Sequence, residues 1–312
     1  MAPRKLAVRQ GTEAWLAARR EHITATDIPV LLGLSPWRCE ADLADEKLGG
    51  DGEAATLRMR VGHALEDLIA GAYAEQTGRR VRRVHGLWES SRYPWAAASP
   101  DATAEGRLVE LKWTGSRSRF AGGLPEDIEA QCQWQALVAE VPEVDVAALT
   151  VGDDEVRLFT VSADEALQRD LIAIAADFRR RLAAGGPFAR NAARIRRDHP
   201  SDNGEEMDAD PELAEAVRAL LDVRASRKRL EADEETLETA IKARMGDCAV
   251  LRGQGWRVTW RRTKDRLETD WRAVADEMLR TMPETERAAL VGRHEVVRPG
   301  FRPFRISVDK ED

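Results

Sequence analysis

The spacing of apolar positions changes several times along the chain, and each change predicts an element. Residues 10–20 carry a helical period, with Thr12 placed to cap it and Trp15 on the face to be buried. A turn over residues 22–27 opens a short helix that stops at Gly33, and residues 40–48 form another, closed by Gly49-Gly50. A longer helix covers residues 57–77, where Met59, Leu65, Leu68, Ile69 and Tyr73 recur at helical spacing and Gly78 serves as C-cap. Strands are predicted at residues 79–89 and 94–98, and alternation returns at Leu108-Val109-Glu110-Leu111-Lys112. Pro125 takes the first position of a helix running to Glu140. Two strands, 144–151 and 155–161, flank Gly152-Asp153-Asp154, and residues 163–184 return to the helical period. Helices alternating with strands predict an α/β domain over residues 1–197.

Beyond it the texture changes. Residues 198–210 are polar and turn-rich, which predicts a linker. The extension, 211–312, is expected to be mainly helical. Residues 211–245 read as one long helix, with Leu213, Val217, Leu220, Val223, Leu230, Leu237 and Ile241 near heptad spacing. Arg224, Arg227, Glu231 and Glu234 interrupt that seam, leaving a hairpin, a coiled coil or an arm open. Two strands around Gly253-Gln254-Gly255, a helix over 270–281 and a last strand near 301–308 complete the pattern.

Composition narrows the class. Of 312 residues, 43% are hydrophobic and 33% charged, as in a soluble globular protein. No apolar run approaches the roughly 20 residues of a membrane span, and the first residues lack a secretion signal's apolar core. Cys39, Cys132 and Cys248 are odd in number and far apart, which predicts a reducing, cytoplasmic setting and excludes a disulfide framework. His22, His63 and His85 have no nucleophile or zinc spacing and are expected to be structural. The net charge of −7 is unevenly spread. Arg179, Arg180, Arg181, Arg190, Arg194, Arg196 and Arg197 fall in an acid-free run, and Arg257, Arg261, Arg262 and Lys264 in a second basic one. Either could be a solvated face or line a basic groove, so an acidic total does not exclude a nucleic-acid partner.

The candidate chemistry sits in residues 95–113, which hold Pro100-Asp101 and then Glu110-Leu111-Lys112. Glu110 and Lys112 are two apart on a strand and share a side, and Asp101 can reach it from a neighbouring strand or turn. Two carboxylates and an ammonium around one point suit Mg²⁺ or Mn²⁺, whose hard ions take oxygen ligands. Glu66, within an apolar helical pattern, needs a partner or a task. Gln131 and Gln135, four apart, share a helix face.

This is the PD-(D/E)xK nuclease pattern, and five blocks in order make the chain resemble the phage lambda exonuclease family, the YqaJ-type viral recombinase nucleases. They are Gln10-Gly11 through Trp15 to Thr24-Ala25-Thr26-Asp27; Gly62-His63-Ala64-Leu65-Glu66; Ser99-Pro100-Asp101; Glu110-Leu111-Lys112; and Ala130-Gln131-Cys132-Gln133-Trp134-Gln135. The resemblance implies a restriction-endonuclease-like core, a mixed sheet flanked by helices. It further implies that Asp101, Glu110, the main-chain carbonyl of Leu111 and the additional acid Glu66 serve a Mg²⁺ (or Mn²⁺) site. Lys112 would serve the attacking water, Gln131 would line the site, and Arg19, Thr26 and Ser99 would hold a 5′-terminal phosphate. The implied activity is 5′-to-3′ digestion of linear double-stranded DNA, leaving 3′ single strands for recombination. The implied partners are a single-strand annealing protein and further copies of the chain in a homotrimer. Two rival expectations are an endonuclease or nickase on the same core, and a DNA-binding module whose nuclease site is a relic.

Overall fold

A computed structural model describes residues 3–50, 56–296 and, beyond those, 298, 300, 303, 304 and 306. The chain divides into two compact units, Met1–His199 and Pro200–Asp312.

The first unit contains β1 (Arg4–Lys5), α1 (Glu13–Glu21), β2 (Ile23–Thr24), α2 (Ile28–Leu31), α3 (Glu40–Lys47) and α4 (Leu57–Thr77). Then come β3 (Val81–Arg83), β4 (Trp88–Glu89), β5 (Ala96–Ala98), β6 (Ala102–Ala104), β7 (Arg107–Thr114) and α5 (Glu126–Ala139). It ends with β8 (Glu143–Thr150), β9 (Arg157–Ser162), α6 (Glu165–Ala184) and α7 (Ala192–Asp198). The central sheet is ordered β3-β6-β7-β8-β9, with β7 and β8 parallel and the other neighbours antiparallel. A smaller sheet, β1-β4-β5-β2, pairs β2 and β5 in parallel. This is the mixed α/β fold expected.

Two apolar layers clothe the central sheet. Leu108 packs in the cluster of α5, with Ile128, Cys132, Trp134 and Val138, while Val109 and Leu111 pack with Ile69, Ala70 and Tyr73 of α4. Alternation along β7 thus sends Leu108, Glu110 and Lys112 toward α5, and Val109 and Leu111 toward α4. The β6–β7 turn fixes the register. Glu105 (φ 48°) and Gly106 (φ 86°) both take positive φ, as a two-residue hairpin turn whose twist matches the strands requires. Ala104 therefore pairs with Arg107 and Ala102 with Val109, which sets Asp101, just before β6, opposite Glu110.

Several expectations need correction. Residues 79–89 are not one strand: β3 and β4 belong to different sheets. Met59 and Leu68 are 46% and 61% exposed, so α4 is anchored only by its second half, through Ile69, Ala70 and Tyr73. Trp15 is half-buried rather than in the core, with the Arg19 guanidinium 4.7 Å from its ring centroid. Pro125 is the N-cap of α5, extended at ψ 142°, not its first helical residue. The short α7 was not foreseen.

The second unit contains α8 (Pro211–Met245), one continuous 35-residue helix with Asp210 as N-cap. It also holds the hairpin β10 (Val250–Gly253) and β11 (Trp256–Thr259), α9 (Trp271–Thr281) and the unforeseen α10 (Glu284–His294). Most of the strand expected near 301–308 lies outside the described residues.

Candidate active site

Glu110 is the buried centre of a polar cluster between β7 and α5. Its Oε1 is 2.5 Å from Lys112 Nζ and accepts a 2.7 Å hydrogen bond from Gln131 Nε2. Its Oε2 accepts from Gln135 Nε2 at 2.6 Å. Lys112 donates in turn to Gln131 Oε1 at 3.0 Å. The ring Lys112–Gln131–Glu110 follows from two periodicities meeting: period two on β7 and i, i+4 on α5. Asp101 joins from the hairpin, its Oδ2 accepting from the Leu111 main-chain N–H at 2.8 Å. Asp101, Glu110, Lys112 and Gln131 are therefore brought together.

The electrostatics follow from burying two carboxylates beside one ammonium. Burial, and then the neighbouring Glu110 carboxylate, push the Asp101 carboxyl well above the usual range, against the pull of Lys112. Burial alone would discourage charge on Lys112, yet Glu110 and Asp101 raise its pKa and hold it as an ammonium. Cys132, beside them on α5, is pushed up chiefly by burial, which makes it an inert thiol.

Glu66 does not join this cluster by any direct bond. It lies on α4, which packs on the opposite face of β7, and its carboxylate is held by Arg83 and, at 2.8 Å, by His63 Nδ1. It reaches Asp101 only through its charge, which adds a smaller upward push. His63, expected to be structural, is thus a partner of Glu66. Arg9, Gln10 and His85 line an open pocket with these three.

The phosphate-binding expectation is partly assembled. Arg19 donates to Thr26 Oγ1 at 2.8 Å, and Thr26 lies 3.1 Å from Thr24 Oγ1. Beneath them the fully buried Lys47 donates to Asp27 Oδ2 (2.6 Å) and to the main-chain oxygens of Arg19 and His22. Ser99 follows β5, the parallel neighbour of β2, and its buried Oγ has no partner, as a hydroxyl awaiting a ligand would. No bond links Ser99 to Arg19 or Thr26 among the described residues.

The first basic run is not a groove. Arg181 pairs with Glu40 and Asp177; Arg194 with Asp42, Asp45 and Asp198; Arg197 with Asp42; Arg190 with Asp198. The run is acid-free in sequence, but acids of α3, α6 and α7 pair with these four arginines, and the pairs of Arg181, Arg194 and Arg197 with α3 tie helices together.

Can the cluster hold Mg²⁺? No group of three or more His, Cys, Asp or Glu side chains is placed to hold a metal among the described residues. Mg²⁺ needs no such cage, because it commonly takes one or two carboxylates and keeps its waters. Asp101 and Glu110 supply two, and since the Glu110 carboxylate discourages charge on Asp101, a divalent cation held by both would relieve that repulsion. The residues fit the ion.

Asp101 just before β6, Glu110 and Lys112 on β7, and the glutamine-bearing α5 behind them have the arrangement that the PD-(D/E)xK pattern in the sequence predicts. Residues 14–142 match the family model of the YqaJ-like viral recombinase domain. The chain is 28% identical over 108 residues to the uncharacterized protein YqaJ of Bacillus subtilis (strain 168), covering 33% of this chain and 34% of that one. It thus spans about a third of the length of that curated relative. Among solved structures, an alkaline exonuclease from Laribacter hongkongensis aligns with TM-score 0.48 and 22% identity, over 56% of this chain and 94% of that one. A phage-related exonuclease from Haemophilus somnus 129PT aligns with TM-score 0.41 and 10% identity, over 53% of this chain and 96% of that one.

Proposed function

We propose that this chain is a Mg²⁺-dependent deoxyribonuclease that digests linear double-stranded DNA from 5′ ends and leaves 3′ single strands for phage-type recombination. The observation that carries the reading is the convergence of Asp101, Glu110, Lys112 and Gln131 on one point of β7. The viral recombinase domain over residues 14–142 supports it.

Asp101, Glu110 and the main-chain carbonyl of Leu111 would hold the metal, which would supply charge neutralisation at the scissile phosphate and a water acidic enough to attack it. The protein's own groups set the geometry. Gln131 and Gln135 occupy both oxygens of Glu110, fixing the carboxylate's plane. Lys112, an ammonium locked between Glu110 and Gln131, orients the attacking water and screens the developing charge on phosphorus. Arg19, with Thr26 and the unpartnered Ser99 hydroxyl, would take a terminal phosphate, a guanidinium and hydroxyls being its natural donors. Glu66, a smaller contributor in this geometry, would bias the site's charge from the α4 side. A homotrimer and a single-strand annealing protein complete the reading as its assembly and partner.

The mode is tested with duplexes labelled at the 5′ or the 3′ end, beside covalently closed plasmid, in Mg²⁺ or EDTA. Release of the 5′ label first, in Mg²⁺ only, with the plasmid intact, is expected. Nicked plasmid would instead establish an endonuclease.

A further inference from the structure

The second basic run meets a different fate from the first. Between Ala249 and Lys264 the chain carries Arg252, Arg257, Arg261, Arg262 and Lys264 and no carboxylate, within a protein whose net charge is −7. The fold brings almost no acid to them: Arg262 pairs with Asp265 at 2.8 Å, and among the described residues Arg252, Arg257, Arg261 and Lys264 have no ion pair. The hairpin sets two of them face to face. Arg252 is directly opposite Arg257 in the β10–β11 ladder, and Arg261 follows two residues after the end of β11. The other side holds Leu251, Val258 and Trp256, whose ring lies so close over Gly253 that a Cβ there would sit 2.2 Å from it. Trp260 continues that apolar side, its N–H bonded to Ala249 at 3.0 Å. The ribbon thus has one cationic and one apolar face.

Like charges directly opposite in a ladder destabilise it unless something anionic lies between them. A facing pair of arginines in the ribbon, with Arg261, Arg262 and Lys264 following in the next segment, suits a repeating anion rather than a single one. We propose that the β10–β11 ribbon lays its Arg252–Arg257 face on the sugar–phosphate backbone of duplex DNA, a contact separate from the nuclease centre. A two-stranded ribbon fits a major groove about 12 Å wide. Gly255 takes a positive φ of 77° in the turn that joins the two strands. A contact made to phosphates alone carries no sequence information, so the binding would be sequence-independent. The choice of duplex rests on the nuclease reading above; the affinity for a polyanion rests on the ribbon itself.

The test is anisotropy of a labelled 20-base-pair duplex against the full chain in EDTA, where nothing is cut, over a salt series. Removing two phosphate contacts lowers the slope of log Kobs against log salt by about two. Arg252→Ala/Arg257→Ala is therefore expected to bind roughly 10²-fold more weakly at low salt and to converge with the parent toward 1 M. Arg252→Lys/Arg257→Lys, which keeps the charge, should retain the parental slope, and matched thermal unfolding checks that the alanine variant is folded. Equal slopes for parent and folded alanine variant would overturn the proposal. A loss seen only with a 20-nucleotide single strand would overturn the duplex assignment. A chain that releases no nucleotides in Mg²⁺ but shows the slope difference would remove the nuclease reading and leave the ribbon standing.

Discussion

Gln135 lies one turn along α5 from Gln131 and holds the second oxygen of the Glu110 carboxylate, at 2.6 Å. Its shared face with Gln131 was legible from the i, i+4 spacing; its role was not, because spacing along a helix says nothing about which strand residue stands opposite. The same reasoning explains Glu66. Its need of a partner could be read from an acid among apolar neighbours, but the side of the sheet on which α4 packs could not, and Arg83 is the partner found. Asp101, Glu110 and Lys112 were legible because their geometry is local: one strand, one short hairpin. Gln135→Leu leaves one buried carboxylate oxygen without its donor, which costs about 1–3 kcal/mol in stability. As a group that positions a metal-site carboxylate, its loss is expected to lower nucleotide release by about 10–100-fold. Urea unfolding and a Mg²⁺ titration of activity would separate the two effects, since a lost positioning role raises the Mg²⁺ requirement and simple destabilisation does not.

Among the elements, α4 and α8 have the bounds that the sequence pattern predicted, Leu57–Thr77 and Pro211–Met245, because both carry capping signals at their ends. What they pack against was not legible: Met59 and Leu68 have helical spacing but no partner surface. Below α1, the buried Asp27–Lys47 pair secures the segment carrying Arg19 and Thr26. Burial pushes the Asp27 carboxyl up, but the charges of Lys47 and Arg19 and the bonds from Lys47 and Thr24 prevail and hold it below the usual range. A carboxylate with a lowered folded pKa contributes stability above its unfolded pKa, near 3.9, which is lost as pH falls through the folded value. Asp27→Asn strands a buried ammonium and is expected to cost about 3–5 kcal/mol at neutral pH. Urea unfolding from pH 7 to pH 3 should also give a shallower fall in stability for the variant than for the parent; an equal fall would contradict the pair's role.

On the scale of the whole molecule, the division of labour is lopsided. Both apolar clusters, and every residue assigned to the nuclease site, lie in Met1–His199. Among the described residues of Pro200–Asp312 only Met245 is a buried apolar side chain. The polar stretch after residue 197 reads as a linker, and the charges that interrupt the heptad spacing of α8, Arg224, Arg227, Glu231 and Glu234, agree with the exposure of Val223, Leu230 and Leu237. A chain ending at residue 199 is therefore expected to unfold cooperatively and to keep the Mg²⁺-dependent nuclease activity proposed above. Residues 200–312 alone, with little apolar area to bury, should melt gradually by circular dichroism. A sharp transition in that fragment would show a core that the described residues do not contain. No helix among the described residues is long and apolar enough to cross a membrane.

The central claim is that Asp101, Glu110 and Lys112 together cut DNA, and one comparison tests it most directly. Linear duplex DNA with 5′-phosphates would be incubated with the parent and with Lys112→Ala, matched for folding by circular dichroism, in Mg²⁺ and in EDTA. Losing one catalytic group typically lowers a rate by about 10²–10⁴. Nucleotide release by the parent in Mg²⁺ alone, reduced by that order in Lys112→Ala, is the predicted result. Equal release by the two proteins, or none from the folded parent in Mg²⁺, would contradict it.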